Sequence, residues 1–239
     1  MYEALCDTQI TAQRLFLAHK ARGELIDQIV RRADEIALPI ERLSALELSR
    51  ISKHGKQDQG VALDVHAPRH LKLMEALERL DEYAEAPIFL LDGLNTPANV
   101  GMVIRSAWAA GAAGIILPRA GCAPLNPLAV KASAGVAIHA AVWRCESARE
   151  AAELLSARGI PIFGLAGEAT RSLYEDTWPQ RAAWVVGNES EGMSAEVRAL
   201  LTSAVSLPMA NGVESLNAAV AASVVGFELT RARMATSDA

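Results

Sequence analysis

Two textures of apolar residues divide the chain. From residue 87 onward, short runs are apolar at nearly every position, as in Ile88-Phe89-Leu90-Leu91, Ile160-Pro161-Ile162-Phe163 and Ala183-Trp184-Val185-Val186. Such runs belong to strands covered on both faces, the pattern of a parallel sheet between helical layers. They predict strands over 88–92, 114–117, 140–144, 161–166, 183–187 and 204–208. Helical spacing predicts helices over 99–110, 127–133, 147–157 and 194–201, with one more after Asn217. The region 87–235 therefore reads as one α/β domain.

Upstream the pattern is smaller in scale. Strands over 10–17, 39–42 and 61–65 and helices over 24–36 and 44–52 make a small α/β unit across residues 1–66, with a polar, glycine-containing loop over 53–60. Residues 67–86 are charged, carry Leu71, Met74, Leu77 and Leu80 at helical spacing, and stop at Pro87, which predicts a helical linker. No repeat is visible, and Thr236 to Ala239 reads as a frayed tail.

One stretch changes character halfway. Ser206-Leu207-Pro208-Met209 ends a strand, Ala210-Asn211-Gly212 forms a turn, and Glu214-Ser215-Leu216-Asn217 then leads into a run of alanine, valine and phenylalanine reaching Leu229. That composition predicts a helix buried on most faces. Ser215 and Asn217 at its start suit capping of free backbone N–H groups, and equally suit a ligand.

Composition narrows the function classes. Half of the 239 residues are apolar, enough for one large core or two modest ones. No apolar run approaches the roughly 20 residues that cross a bilayer, and the start lacks the layout of a signal peptide, so a cytoplasmic protein without a membrane partner is expected. Cys6, Cys122 and Cys145 are odd in number and scattered, which points to reduced, mostly buried thiols rather than disulfides or zinc. His66 and His70 are four apart but flank Pro68 without a further ligand, so no metal is expected. The net charge of −5 argues against broad nucleic-acid binding. A local basic face remains possible among Arg14, Lys20, Arg22, Arg31, Arg32, Arg42, Arg50, Lys53, Lys56 and Arg69, although acids are interspersed.

Three loops at predicted strand ends carry the candidate chemistry, since ligands of open α/β sheets bind there. The first runs from Asp92 through Asn99 and Gly101 to Arg105 and Ser106, with Arg105 one turn inside a helix, where it suits a phosphate or carboxylate or pairs with an acid such as Glu189. The second is Gly187-Asn188-Glu189-Ser190-Glu191-Gly192-Met193-Ser194, in which Glu189 is the pocket candidate and Ser194 a helix cap. The third is the stretch just described. No G-x-G-x-x-G or G-x-x-x-x-G-K-[ST] is present to cradle a dinucleotide or a triphosphate.

Together Asn99-x-Gly101-x-x-x-Arg105-Ser106-Ala107, Gly187-Asn188-Glu189-x-x-Gly192-Met193, and Leu207-Pro208-Met209 with Glu214-Ser215-Leu216-Asn217-Ala218-Ala219 resemble the three ordered motifs of the SpoU (TrmH-like) family within the SPOUT superfamily. Those proteins are RNA ribose 2'-O-methyltransferases. The unit before them, with Arg14-Leu15-Phe16-Leu17-Ala18 and Gln59-Gly60-Val61-Ala62-Leu63, is similar to the ribosomal-protein-like RNA-binding domain of many members, shortened at its start. The resemblance implies a deep trefoil knot, a homodimer and S-adenosylmethionine held around Leu165, Ala166, Gly187, Asn188, Leu207, Met209, Ser215, Leu216 and Asn217. It implies catalytic roles for Asn99, Arg105, Glu189, Ser215 and Asn217. Ribosomal RNA is the favoured substrate, with transfer RNA or a non-catalytic RNA-binding relative as alternatives. Thr96 and Ser190 depart from the family's usual aspartate and glycine.

Overall fold

The computed structural model describes residues 2–6, 10–52, 58–66, 70–83, 85–175 and 177–237. Part of the expected polar loop, with Lys53 and Lys56, lies outside the described residues, as do Pro68, Arg69 and the last two residues of the tail. The chain forms two compact units, Met1–Arg69 and His70–Ala239.

In the first unit, α1 (Tyr2–Cys6) precedes β1 (Thr11–Ala18), α2 (Glu24–Glu35), β2 (Ile40–Leu43), α3 (Ala45–Ser52) and β3 (Val61–His66). The sheet order is β2-β1-β3, with β1 parallel to β2 and antiparallel to β3. Leu15 and Leu17 on one face of β1 pack with Ile29 and Ala33 of α2. Ser44 and Glu47 cap α3 reciprocally, each accepting the other's backbone N–H, at 3.3 and 2.9 Å. Arg14 is paired with Glu41 and Arg32 with Glu35, which removes two charges from the expected basic face.

The second unit begins with α4 (Leu73–Glu78) and a 3-10 turn at Leu80–Glu82, where a longer linker helix over 67–86 was expected. Before α4 the chain is extended: Arg144 donates its backbone N–H to Leu71 O at 2.8 Å. Leu73, Ala76, Leu77 and Leu80 are buried in this unit's core, so Met74 points outward instead of inward. The physical reason is that the helix starts late and its apolar stripe follows 73, 76, 77 and 80.

Then come β4 (Ile88–Leu91), α5 (Pro97–Ala109), β5 (Gly114–Pro118), α6 (Pro127–Ala132), β6 (Val142–Cys145), α7 (Ala148–Ala157), β7 (Ile162–Leu165), β8 (Ala183–Val186), α8 (Ala195–Arg198), β9 (Ser203–Val205) and α9 (Ala218–Ser237). The six strands are parallel in the order β6-β5-β4-β8-β7-β9. Alternation along β4 sends Phe89 and Leu91 to a core shared with α5 and α9, and Ile88 and Leu90 to one shared with α4 and α7. This is the covered parallel sheet that the uniformly apolar runs predict.

The strand order reverses between β4 and β8. From β4 the chain moves outward to β5 and β6, and from β8 it moves the other way, over β7 to β9. Their loops diverge at the carboxyl edge, and such a reversal opens a crevice suited to ligands. Cys6 is exposed, contrary to the buried state expected of the thiols, because it ends a five-residue surface helix; Cys122 and Cys145 are half-buried.

Candidate functional site

The crevice is built from three loops tied across it. Asp92, at the end of β4, is buried and accepts hydrogen bonds from Ser194 N at 2.7 Å and Ser194 Oγ at 2.9 Å. Ser194 Oγ in turn accepts from Val197 N at 3.4 Å and so caps α8 as expected. Asn188 Nδ2 donates to Gly93 O at 2.9 Å, and Asn188 Oδ1 accepts from Ser190 N and Glu191 N. The backbone of Asn188 exchanges both its bonds with Gly192 at 2.9 Å. Asn188, expected at the cofactor, therefore spends its polar atoms on shaping the loop. Gly187 must be glycine there, since a Cβ would lie 2.6 Å from Gly192 C.

On this frame three expected site residues meet. Asn99 Nδ2 donates to Glu189 Oε1, and Asn217 Nδ2 donates to Glu189 Oε1 at 3.2 Å and to Asn99 Oδ1 at 3.3 Å. One carboxylate oxygen thus gathers two carboxamides from opposite ends of the domain. Asn217 also works in the other direction: its Oδ1 accepts from Ala219 N at 3.0 Å and Val220 N at 3.4 Å, capping α9. Capping and site membership, alternatives in the sequence, are carried by different atoms of one side chain.

The remaining candidates stand apart from this cluster. Arg105 is exposed on α5 and makes no ion pair among the described residues, so the alternative pairing with Glu189 does not form. Ser215 is exposed and is not the cap. Leu165 ends β7, Ala166 donates its N–H to Val205 O at 2.9 Å, and Leu207 and Met209 follow β9. Leu165, Gly187 and Leu207 therefore leave three neighbouring strands at one edge of the sheet. Ala210 to Val213 form a tight turn closed by Val213 N to Ala210 O at 3.2 Å, with Asn211 and Gly212 both at positive φ. Among the described residues the backbone N–H groups of Leu207, Met209, Ser215 and Leu216 donate to no other backbone carbonyl.

Helix packing holds the parts in register. Ser223 Oγ of α9 donates to Ser106 Oγ of α5 at 2.7 Å, and Thr230 Oγ1 and Arg233 Nη2 donate to Ala110 O beyond the end of α5. Gly101 allows α5 to lie on α6, because a Cβ would fall 2.1 Å from Ala129 O. Beside the crevice, Cys122 Sγ donates to Leu91 O at 3.6 Å, and burial pushes its thiol above the ordinary range, which makes it a poor nucleophile. Sequence reasoning missed Asp92 as the anchor of Ser194 and Asn188 as a loop former; an aspartate directly after an all-apolar strand is the signal available for the first.

Asn217→Ala should cost about 1 kcal/mol from the lost cap alone. Asn217→Asp keeps the capping oxygen but sets a second carboxylate against Glu189. If the Nδ2 contacts matter for function, the aspartate variant melts near the wild type yet loses activity, as thermal melts beside an activity assay would read.

An open parallel α/β sheet with a polar cluster at its reversal crevice defines a ligand-binding domain of the doubly wound kind. A sequence model of the SpoU rRNA methylase family matches residues 86–227, and the chain belongs to that family. It is 35% identical over 227 residues to the 23S rRNA (guanosine-2'-O-)-methyltransferase RlmB of Pasteurella multocida, covering 93% of this chain and 92% of that protein. It is 29% identical over 226 residues to the RlmB of Vibrio vulnificus, covering 94% and 92%. In fold it is similar to the SpoU methyltransferase AviRb from Streptomyces viridochromogenes in complex with AdoMet, with a TM-score of 0.75, 23% identity, and coverage of 98% of this chain and 87% of that one.

Proposed function

We propose that the chain methylates a ribose 2'-hydroxyl of ribosomal RNA with S-adenosylmethionine as methyl donor. The observation that carries this reading is the Asn99–Glu189–Asn217 cluster, where all three family motifs meet at the crevice. The names of the RlmB relatives support 23S RNA and a guanosine as the target.

The loop chemistry fits the methyl donor. Adenine and an amino-acid headgroup are met by backbone donors and acceptors, and the backbone N–H groups of Leu207, Met209 and Leu216, in the loop between β9 and α9, donate to no other backbone carbonyl among the described residues. The bound cofactor supplies a sulfonium methyl. Glu189 fixes the carboxamides of Asn99 and Asn217, which leaves their orientation set before substrate arrives. Arg105, which makes no ion pair among the described residues, orients the hydroxyl and offsets negative charge on the oxygen and the adjacent phosphate. A guanidinium offers donors and no acceptor, so it acts as a cation and does not take the proton. Ser215, exposed beside Leu216, is available to the same ligand.

The unit over residues 1–66 binds RNA in this reading, with 67–86 as connector and 87–235 as the methyltransferase domain; the deep trefoil knot and a cytoplasmic location belong to it as well. A homodimer is supported by α9, which was expected to be buried on most faces yet leaves Val220, Phe227 and Met234 exposed at seven-residue intervals. Phe227→Asp should convert a dimer to a monomer in sedimentation; a wild type that sediments as a monomer would sink the idea. The function itself is tested by mapping 2'-O-methylation in total RNA with and without the gene. Loss of one ribosomal modification is expected, and an unchanged map would return the chain to a binding role.

A further inference from the structure

A second cavity opens at the far edge of the sheet. It encloses about 320 Å³ beside the carboxyl end of β6 and is lined by Lys72, Arg119, Arg144, Glu146 and Glu150 above an apolar floor that includes Leu73. Its acids are already engaged. Glu146 holds Arg119 through two hydrogen bonds, and Glu150 Oε2 accepts from Glu146 N at 2.7 Å. Two cations are not engaged: Lys72 and Arg144 form no ion pair among the described residues, and Arg144 Nη1 is buried without a hydrogen-bond partner.

A buried guanidinium N–H without an acceptor is costly and calls for one. The positive charge is felt nearby: burial, and then Arg144, hold His70 below its ordinary value. The cavity thus offers a fork of donors and a flexible ammonium, the pairing that suits a phosphate group. Its position narrows the source. All six strands are parallel, so the cavity opens at the same edge of the sheet as Asn99 and Glu189, with β6 two strand spacings from β4, about 10 Å.

We propose that this cavity is a phosphate-binding site for the backbone of the RNA substrate, Arg144 and Lys72 holding a phosphodiester away from the reacting ribose. The assignment to RNA rests on the functional reading above. Contacts of this kind set register rather than sequence preference.

The test uses the full chain, a labelled single-stranded oligoribonucleotide and inorganic phosphate. Loss of one phosphate contact to a single strand lowers the salt slope by about 0.7, which at 0.1 M salt is about a fivefold loss of affinity. Lys72→Gln is therefore expected to bind the oligonucleotide about fivefold more weakly with a shallower slope, Lys72→Arg to recover, and S-adenosylmethionine affinity to stay unchanged. Arg144→Gln should do the same, and Lys72, being exposed, keeps the test open should that variant fold poorly. Wild-type affinity and slope in both variants would overturn the proposal. Inorganic phosphate raising the melting temperature of the wild type but not of Lys72→Gln, with RNA binding equal in both, would assign the cavity to a small anion and overturn the RNA source. A wild type that binds no RNA brings down the functional reading first and this site with it, an outcome distinct from intact wild-type binding that the variants share.

Discussion

Arg105→Ala is expected to lower methyl transfer by about 10²- to 10³-fold while leaving folding and cofactor binding intact. The size follows from what one preorganised charge contributes where negative charge develops. The selectivity follows from the structure: Arg105 is exposed and makes no ion pair among the described residues, so its removal leaves no buried group without a partner. Arg105→Lys should recover only part of the rate, because an ammonium keeps the charge but loses the planar fork that spans a hydroxyl and a phosphate. Transfer of labelled methyl to unmethylated ribosomal RNA, run beside a thermal melt and a cofactor titration, reads all three quantities. Near-normal turnover in Arg105→Ala would remove the residue from the mechanism.

Gly101→Ala should unfold the methyltransferase domain more readily, by about 3 kcal/mol or more. In an open helix the change would help, by about 1 kcal/mol, since alanine favours helix over glycine. Here the added Cβ would sit 2.1 Å from Ala129 O, 2.9 Å from Ala129 C and 3.0 Å from Ala132 Cβ. Overpacking against movable side chains costs about 1 to 3 kcal/mol, and a backbone carbonyl yields less than a side chain. For a domain of this size each kcal/mol shifts melting by about 2–4 °C, so a fall of roughly 10 °C is expected. Activity should drop with it, because Asn99 and Arg105 ride on the helix that must move. An unchanged melt would show that α6 gives way, and that this glycine serves a ligand instead.

That contrast bears on what the sequence made legible. The uniformly apolar runs identified the parallel strands because burial on both faces leaves no polar position. Glu189 was legible as a pocket candidate from its loop, and Asn99 as a candidate through the resemblance to the SpoU motifs. Their shared contact was not, since it joins residues 90 apart. The glycine between Asn99 and Arg105 reads as part of a functional motif, and only the Ala129 carbonyl shows that it is also a packing requirement. The linker over 67–86 misled for a related reason. Its spacing was helical, but where the helix began decided whether Met74 or Leu73 faced the core. The outward stripe of α9 was likewise hidden, because Val220, Phe227 and Met234 sit in an apolar run that reads as buried on most faces.

Asn217 has one further consequence. Its Oδ1 holds the first turn of α9 while its Nδ2 holds Glu189. Loosening that turn therefore loosens the cluster, and the local opening of a helix end becomes an opening of the site. Amide exchange at Ala219 and Val220 should report the integrity of the cluster from outside it, slowing whenever a ligand clamps Glu189 and quickening when Glu189 is removed.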